Sequence, residues 1–158
     1  MIFFRLSLVL FSIGSGTVCA KSDGTFLFYN LRYGETNVRF GPSNNSPIKF
    51  SFKQSKLPVK VLKSHQEWYL IRDMEGERGW VLQRMVSPAG FVLVINNSFL
   101  RKDKNIKSRP IAHLTKGVIV KLEKCHSQLC RVQIPGPSSQ LMGWMPEKHL
   151  WGINPNKP

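Results

Sequence analysis

The sequence is poor in acidic residues, in cysteine and in helical periodicity. It contains nine Asp and Glu against 23 Lys and Arg, and only three cysteines in 158 residues. Apolar residues hardly recur at the spacing of an amphipathic helix, which argues against a helical architecture and for short strands. No glycine-rich loop follows a strand and opens a helix, which argues against nucleotide chemistry.

The one long apolar run lies close to the N-terminus. Arg5 precedes the apolar stretch 6–13, and small residues follow it up to Val18-Cys19-Ala20. This order is typical of a secretory signal peptide, with cleavage expected after Ala20. A transmembrane anchor would need about 20 apolar residues, and a lipidated Cys19 would need a small residue in place of Val18. We therefore expect a chain secreted across the inner membrane, periplasmic or extracellular, without a transmembrane span.

Positive charge dominates the rest of the chain. After cleavage, 22 basic and nine acidic residues leave a formal charge of +13, and eight of the basic residues fall between positions 101 and 124. Such a surface attracts polyanions without specifying which. Because the chain is expected to be exported, we expect its partners to be wall polymers, lipid headgroups or acidic proteins rather than nucleic acid. The candidate basic surface consists of Arg101, Lys102, Lys104, Lys107 and Arg109.

The two halves of the chain repeat one order of short apolar or alternating runs. The predicted strands are 26–31, 37–40, 57–62, 68–72 and 79–82 in the first half, and 91–95, 99–101, 118–122, 129–134 and 143–145 in the second. A shift of 61 residues places Tyr69 on Cys130, and a shift of 64 places Trp80 on Trp144. We predict a duplicated unit of about 60 residues, with a joint at residues 87–90.

Several short motifs resemble a known family. They are Asn37-Val38-Arg39-Phe40-Gly41-Pro42-Ser43, Gly79-Trp80-Val81, Cys125, Cys130-Arg131-Val132, Gly143-Trp144 and Leu150-Trp151-Gly152. In order and spacing the chain resembles the bacterial SH3-type domain of exported proteins, in its tandem subgroup. The resemblance implies an all-β fold of two tandem, five-stranded SH3-like barrels, residues 26–87 and 91–152, after a signal peptide at 1–20. It also implies binding of peptides or cell-wall material.

The first copy carries the candidate ligand surface. Trp68 is expected on a mixed, solvent-type face, whereas Tyr69 shares its face with the apolar core, and Trp80 and Trp144 are expected to pack inside. The candidate ligand-binding residues are Trp68, Tyr69, Arg39, Phe40, Pro42 and Asn44. In the second copy, residues 102–105 replace the Gly-Pro-Ser loop. We therefore expect one recognising copy and one stabilising, basic copy.

The two cysteines of the mature chain could form a disulfide, a catalytic centre or a zinc site. Cys125 and Cys130 stand at matching ends of one predicted hairpin in an exported chain, which favours a disulfide. A catalytic cysteine would need a free thiolate paired with a histidine on a separate scaffold. Zinc would need a second paired ligand motif beside His126, and the scattered His113 and His149 do not supply one. We predict a disulfide and no metal.

Catalysis is not expected elsewhere either. The acids Asp73, Glu75 and Glu77 cluster in a hairpin turn rather than across a cleft, and no cofactor motif is present. The leading interpretation is a non-enzymatic binding module for peptidoglycan, through its glycan or peptide part, or for another envelope component. The alternative is an adaptor that binds an envelope protein through the basic surface.

Overall fold

The computed structural model describes residues 27–136 and 140–155. These residues form two antiparallel sheets of seven strands and, among them, no α-helix. The strands of the first sheet are β1 Leu27–Leu31, β2 Thr36–Arg39, β3 Ile48–Phe52, β4 Pro58–His65, β5 Trp68–Arg72, β6 Arg78–Leu82 and β7 Val86–Pro88. Those of the second are β8 Phe91–Val94, β9 Ser98–Arg101, β10 Pro110–Leu114, β11 Ile119–His126, β12 Leu129–Ile134, β13 Leu141–Pro146 and β14 Leu150–Trp151. The 3-10 turns Gln83–Met85 and Glu147–His149 precede β7 and β14.

The two sheets are built in the same way. Their strand orders are β3-β2-β6-β5-β4-β1-β7 and β10-β9-β13-β12-β11-β8-β14. The long strands β4 and β11 each carry a bulge, directly before Lys63 and Lys124. Bulges increase the local twist and help a sheet to curl over its own core. The predicted all-β fold of two tandem SH3-like barrels is confirmed.

Each barrel has its own apolar core, built from alternate residues of its strands. In β6, Gly79 and Val81 are buried, whereas their neighbours are more exposed. In β9, Leu100 is fully buried between the outward-facing Phe99 and Arg101. The two clusters of buried residues are separate, so each barrel buries its apolar surface largely within itself.

The predicted disulfide is present in the second barrel. Cys125 and Cys130 are direct cross-strand partners of β11 and β12, with an S–S distance of 2.02 Å and Cα atoms 4.0 Å apart. Cys130 is fully buried in the core. Tyr69 takes the place of Cys130 in the first barrel, where its ring centroid lies 5.5 Å from that of Tyr29. The same position therefore supports one barrel by a covalent bond and the other by an aromatic pair.

Asn30, at 2% exposure, joins the two barrels. Its Nδ2 donates to the carbonyl oxygens of Lys56 at 3.0 Å and of Phe91 at 2.9 Å. Its Oδ1 accepts from the amides of Gly90 at 2.7 Å and of Phe91 at 2.9 Å. One side chain from β1 thus satisfies four backbone groups around the joint, which fixes the chain at its passage into the second barrel.

Residues after β14 return to the first barrel. The amide of Phe28 donates to Oδ1 of Asn154 at 2.6 Å, and Nδ2 of Asn154 donates to the carbonyl of Phe28 at 3.1 Å. Gly152 has a φ of +108°, and a Cβ there would lie 2.7 Å from Pro58. Glycine is therefore required where the second barrel touches the first.

Each sheet contains two strands that the sequence patterns did not predict. The edge strands β3 and β10 and the short strands β7 and β14 raise the count from five to seven. β7 and β14 have three and two residues, too few for a period to appear. Part of the predicted joint at 87–90 also belongs to β7, which leaves Ala89 and Gly90 between the two sheets.

The predicted signal peptide, residues 1–20, lies outside the described residues. Along the two stretches that the structure covers, no helix has the length and apolar character needed to cross a membrane. Export of the chain stays a prediction.

Candidate ligand grooves

An arginine side chain holds the base of a loop in each barrel. Nη1 of Arg39 donates to the carbonyl of Ser46 at 2.6 Å. In the second barrel, Nη1 of Arg101 donates to the carbonyl of Ser108, also at 2.6 Å. Each arginine reaches seven residues ahead and fixes the loop against its own barrel.

These loops, residues 40–47 (the first loop) and 102–109 (the second loop), follow the same path with different sequences. In the first loop, Ser43 Oγ accepts a hydrogen bond of 3.2 Å from the amide two residues further on. In the second loop, Asn105 Oδ1 does the same at 2.8 Å. Serine and asparagine both stabilise turns in this way. The expectation that the second copy lacks a ligand-bordering loop is therefore wrong.

Trp80 and Trp144, which occupy corresponding positions in the two barrels, point away from the cores. A Cβ at Gly79 would lie 2.3 Å from a side-chain atom of β2, and one at Gly143 would lie 2.6 Å from a backbone oxygen of β9. Both glycines thus face inward, and alternation turns the next residues, Trp80 and Trp144, outward. Both rings are partly exposed and lie outside the core clusters. The prediction that they are core residues is wrong.

The first groove lies between the first loop and the turn Gln83–Met85. It is small, about 210 Å³. Trp68 forms part of its lining but is only 6% exposed, beside its cross-strand partner Leu82. Trp68 therefore borders the groove without presenting the face of its ring to solvent, which corrects the expectation of an exposed indole. The other residues around the groove are Glu35, Asn37, Arg39, Asn44, Arg84 and Met85.

The second groove occupies the corresponding place in the second barrel, between the second loop and the turn Glu147–His149. Leu129 stands where the first barrel has Trp68, since it starts β12 and pairs with Pro146 as Trp68 pairs with Leu82. The groove beside this smaller side chain is open and measures about 1040 Å³. The larger site is thus in the copy that was expected only to stabilise the protein.

Residues of the first barrel and of the segment from β14 onward extend the second groove. Phe28 of β1 and Trp151 of β14 meet edge to face, with ring centroids 4.9 Å apart, and both line the groove together with Ile153. Ile106 of the second loop, which is 54% exposed, also lines the groove. The second groove is therefore a composite site with an apolar lining from both barrels.

Positive charge lies at the rim of the second groove. Lys104 and Lys148 both line it, accompanied by Glu147. The Nζ atom of Lys104 also lies 6.0 Å from the ring centroid of Trp144. Asn105, Ser127 and Gln128 line the groove too, so its lining is mixed. Apolar surfaces beside polar and basic groups suit a ligand that is partly apolar and carries carboxylates.

Only some of the ligand-binding candidates of the first copy lie at the first groove. Arg39, Asn44 and Trp68 come together at the first groove, but Phe40 and Pro42 do not line it, although Phe40 is 64% exposed. Tyr69 is the neighbour of Trp68 in β5 and points to the opposite face, where it packs against the core. Burial raises the pKa of Tyr69, and its hydrogen bond and charge interaction with Tyr29 raise it further.

The basic candidates lie together on and beside the second loop. Lys104 lines the second groove and Arg101 holds the loop base, whereas the other three are exposed on the loop. The three are Lys102, Lys107 and Arg109. The sequence reasoning missed Leu129, Phe28 and Trp151. The signal for Leu129 was present in the shift of 61, which places it opposite Trp68.

The two described cysteines and two of the turn acids have structural partners. Both described cysteines are disulfide-bonded. Asp73 Oδ1 accepts the amide of Glu77 at 2.8 Å, and the carboxylate of Glu77 pairs with Lys49 at 2.8 Å. Across residues 27–136 and 140–155, no group of three His, Cys, Asp or Glu is placed to hold a metal ion.

Strand order, paired loops and paired grooves define this chain as a protein of tandem SH3-like barrels. Residues 32–88 match the family model described as bacterial SH3 domain, which confirms the predicted resemblance over the first barrel. The match covers about a third of the chain. No curated protein matches it.

Two solved structures from Trichomonas vaginalis are similar to the chain. NlpC2 and NlpC1 are each 12% identical to it, with TM-scores of 0.37. The alignments cover 80% and 83% of this chain, and 48% and 47% of theirs. The chain thus spans about half the length of these proteins, and so distant a likeness carries no argument about function.

Proposed function

We propose that this protein is an exported, non-catalytic module that binds peptidoglycan or another cell-envelope component through the second groove. The match of residues 32–88 to the bacterial SH3 domain supports a binding role. The observation that carries the choice of site is the size of the second groove, about 1040 Å³ against about 210 Å³ in the first, with Leu129 standing where Trp68 borders the smaller groove.

The groove suits the chemistry of cell-wall fragments. Sugar rings and apolar side chains pack on aromatic and aliphatic surfaces, and Phe28, Trp151 and Ile106 offer such surfaces. Lys104 and Lys148 stand where they could meet carboxylates of wall peptides. The predicted signal peptide and the disulfide fit an oxidising compartment outside the cytoplasm.

Exchanging the two residues that distinguish the grooves tests the proposal. The mature chain, residues 21–158, is incubated with insoluble peptidoglycan as wild type, Leu129→Trp and Trp68→Leu. Leu129→Trp places beside the second groove the larger residue that borders the first, so retention should fall about tenfold or more, as expected for loss of about 1.4 kcal/mol of binding free energy. Trp68→Leu is the matched control and should be retained like the wild type.

Two results would contradict the proposed site. Equal retention of folded Leu129→Trp and wild type would mean that the second groove does not take part in binding. If only Trp68→Leu lost retention, with an unchanged circular dichroism spectrum, the binding site would lie in the first barrel. Release of soluble wall fragments by the wild-type protein would contradict the non-catalytic assignment.

A further inference from the structure

One row of residues crosses the outer face of four strands in the second barrel. Its members are consecutive cross-strand partners: Lys124 of β11, Arg131 of β12, Trp144 of β13 and Arg101 of β9. Paired residues project to the same side of a sheet, and neighbouring strands lie about 4.8 Å apart, so the row spans about 14 Å. Three cations and one indole therefore share one surface.

Exposed apolar side chains flank the row. Phe99 stands two residues before Arg101 and is 50% exposed, and Met142 stands two residues before Trp144 and is 42% exposed. Because side chains alternate along a strand, both lie on the same face as the row. Lys104 of the second loop adds a fourth cation near the Trp144 ring. We call this surface the basic face; its members are Phe99, Arg101, Lys104, Lys124, Arg131, Met142 and Trp144.

One acid lies beside the basic face. Glu123 lines a small pocket with Lys124, Arg131 and Met142 of the face, and its carboxylate pairs with Lys121, outside the face, at 2.9 Å. Among the described residues, no carboxylate forms an ion pair with the four cations of the face. With four cations beside this one acid, the face carries a net positive charge.

The first barrel shows which features are particular to the second. Its corresponding row is Lys63, Leu70, Trp80 and Arg39. Leu70 stands where the second barrel has Arg131. Asn37, two residues before Arg39, stands where it has the exposed Phe99. The second barrel has thus gained both a cation and an apolar side chain on one face.

We propose that the basic face docks on an anionic phospholipid surface. Arg and Lys near such a surface are attracted to its phosphates, while Phe99 and Met142 would enter the boundary between headgroups and acyl chains. The indole of Trp144 suits the same boundary, since its ring is apolar and its N–H polar. A soluble polyanion would use the cations but gain nothing from the exposed apolar side chains. This combination favours a lipid surface over a wall polymer. Apart from Lys104, no member of the face lines the second groove.

Vesicle co-sedimentation tests the proposal. The mature chain is mixed with vesicles of phosphatidylglycerol and phosphatidylcholine, or of phosphatidylcholine alone, and should sediment only with the anionic vesicles. Arg131→Leu and Phe99→Asn each introduce the residue that the first barrel holds at that position, so both should fold. Arg131→Leu should weaken binding about fivefold, and Phe99→Asn should weaken it several-fold. Lys116→Gln, which removes one charge from a turn outside the face, should weaken it much less.

Three results would overturn the proposal. One is equal sedimentation with neutral and anionic vesicles. Another is an effect of Lys116→Gln as large as that of Arg131→Leu, since net charge alone would then explain binding. The third is an unchanged affinity of Phe99→Asn combined with full release by soluble polyphosphate, which would assign the face to polyanions in solution. Circular dichroism and thermal melting establish that each variant is folded.

Discussion

Replacing Asn30 by alanine would test how the two barrels are held together. The substitution removes four hydrogen bonds, of 2.7 to 3.0 Å, that converge on one buried amide. It also leaves the amides of Gly90 and Phe91 without this partner. Each bond contributes about 1 kcal/mol, so we expect a loss of about 4 kcal/mol. At about 3 °C per kcal/mol for a chain of this size, the melting temperature should fall by about 12 °C.

The measurement combines thermal melting with amide hydrogen exchange. Melting followed by circular dichroism reports the global loss, and exchange at Gly90 and Phe91 reports whether the joint itself has opened. Asn96→Ala is the matched control, because Asn96 is exposed in a turn. It should melt within about 1 °C of the wild type, as surface substitutions usually do.

The reasoning is refuted by a melting temperature of Asn30→Ala within about 2 °C of the wild type. That result would mean that water or a shifted backbone replaces the bonds without cost, contrary to the expected penalty for buried polar groups. Faster exchange at Gly90 and Phe91 without a change in melting would also contradict it, since the joint would then open independently of the two cores.

Two further predictions concern residues in corresponding positions of the barrels. Reducing the Cys125–Cys130 disulfide, which closes a short loop, should lower the free energy of unfolding by about 2 kcal/mol; urea unfolding with and without reductant measures this, and identical midpoints would contradict it. Burial raises the pKa of Tyr69 above its ordinary value of 10.0, so the folded state keeps the phenol proton where the unfolded state loses it. The contribution of Tyr69 to the free energy of unfolding should therefore be fully present below about pH 10, and it should be lost as the pH rises through the pKa of Tyr69 in the folded state. In Tyr69→Phe this alkaline loss should become smaller, and an unchanged loss would assign it to other groups.

The duplication was predictable because strand pairing leaves a trace in the spacing of apolar residues. The shift of 61 that places Tyr69 on Cys130 agrees with the pairing of Ser64 with Tyr69 and of Cys125 with Cys130. The edge and terminal strands were not predicted, since a strand such as β14 exists only through its partner β8. The alternation Ile48-Lys49-Phe50-Ser51-Phe52 is a usable signal for β3 that the predicted strands do not include.

The orientation of the paired tryptophans was predicted wrongly for a steric reason. Gly79-Trp80-Val81 has an apolar residue at each position, and hydrophobicity alone favours the largest side chain for the core. The space opposite Gly79 is already filled by Val38, so only a residue without a Cβ fits there. A prediction of which residue faces inward requires knowing that neighbour.

The candidate site was only partly predictable because exposure depends on parts distant in sequence. The first loop and the turn Gln83–Met85 enclose the first groove beside Trp68. Neither segment has a sequence pattern from which this position could be predicted. The second groove draws Phe28 and Trp151 from opposite ends of the described chain. The comparison of the two copies at Trp68 and Leu129 was the one local clue.

The bonds between Asn154 and Phe28 have a mechanical consequence. A tensile load that draws these residues apart meets two hydrogen bonds, of 2.6 and 3.1 Å, before it reaches the strands. Behind them, β1 is paired on both sides, with β4 and β7, so the load is shared between two neighbours. A protein stretched between two attachments at these points would therefore resist extension at the Asn154 side chain and at the ring contact of Phe28 with Trp151, which makes Asn154 one position at which its response to force can be adjusted.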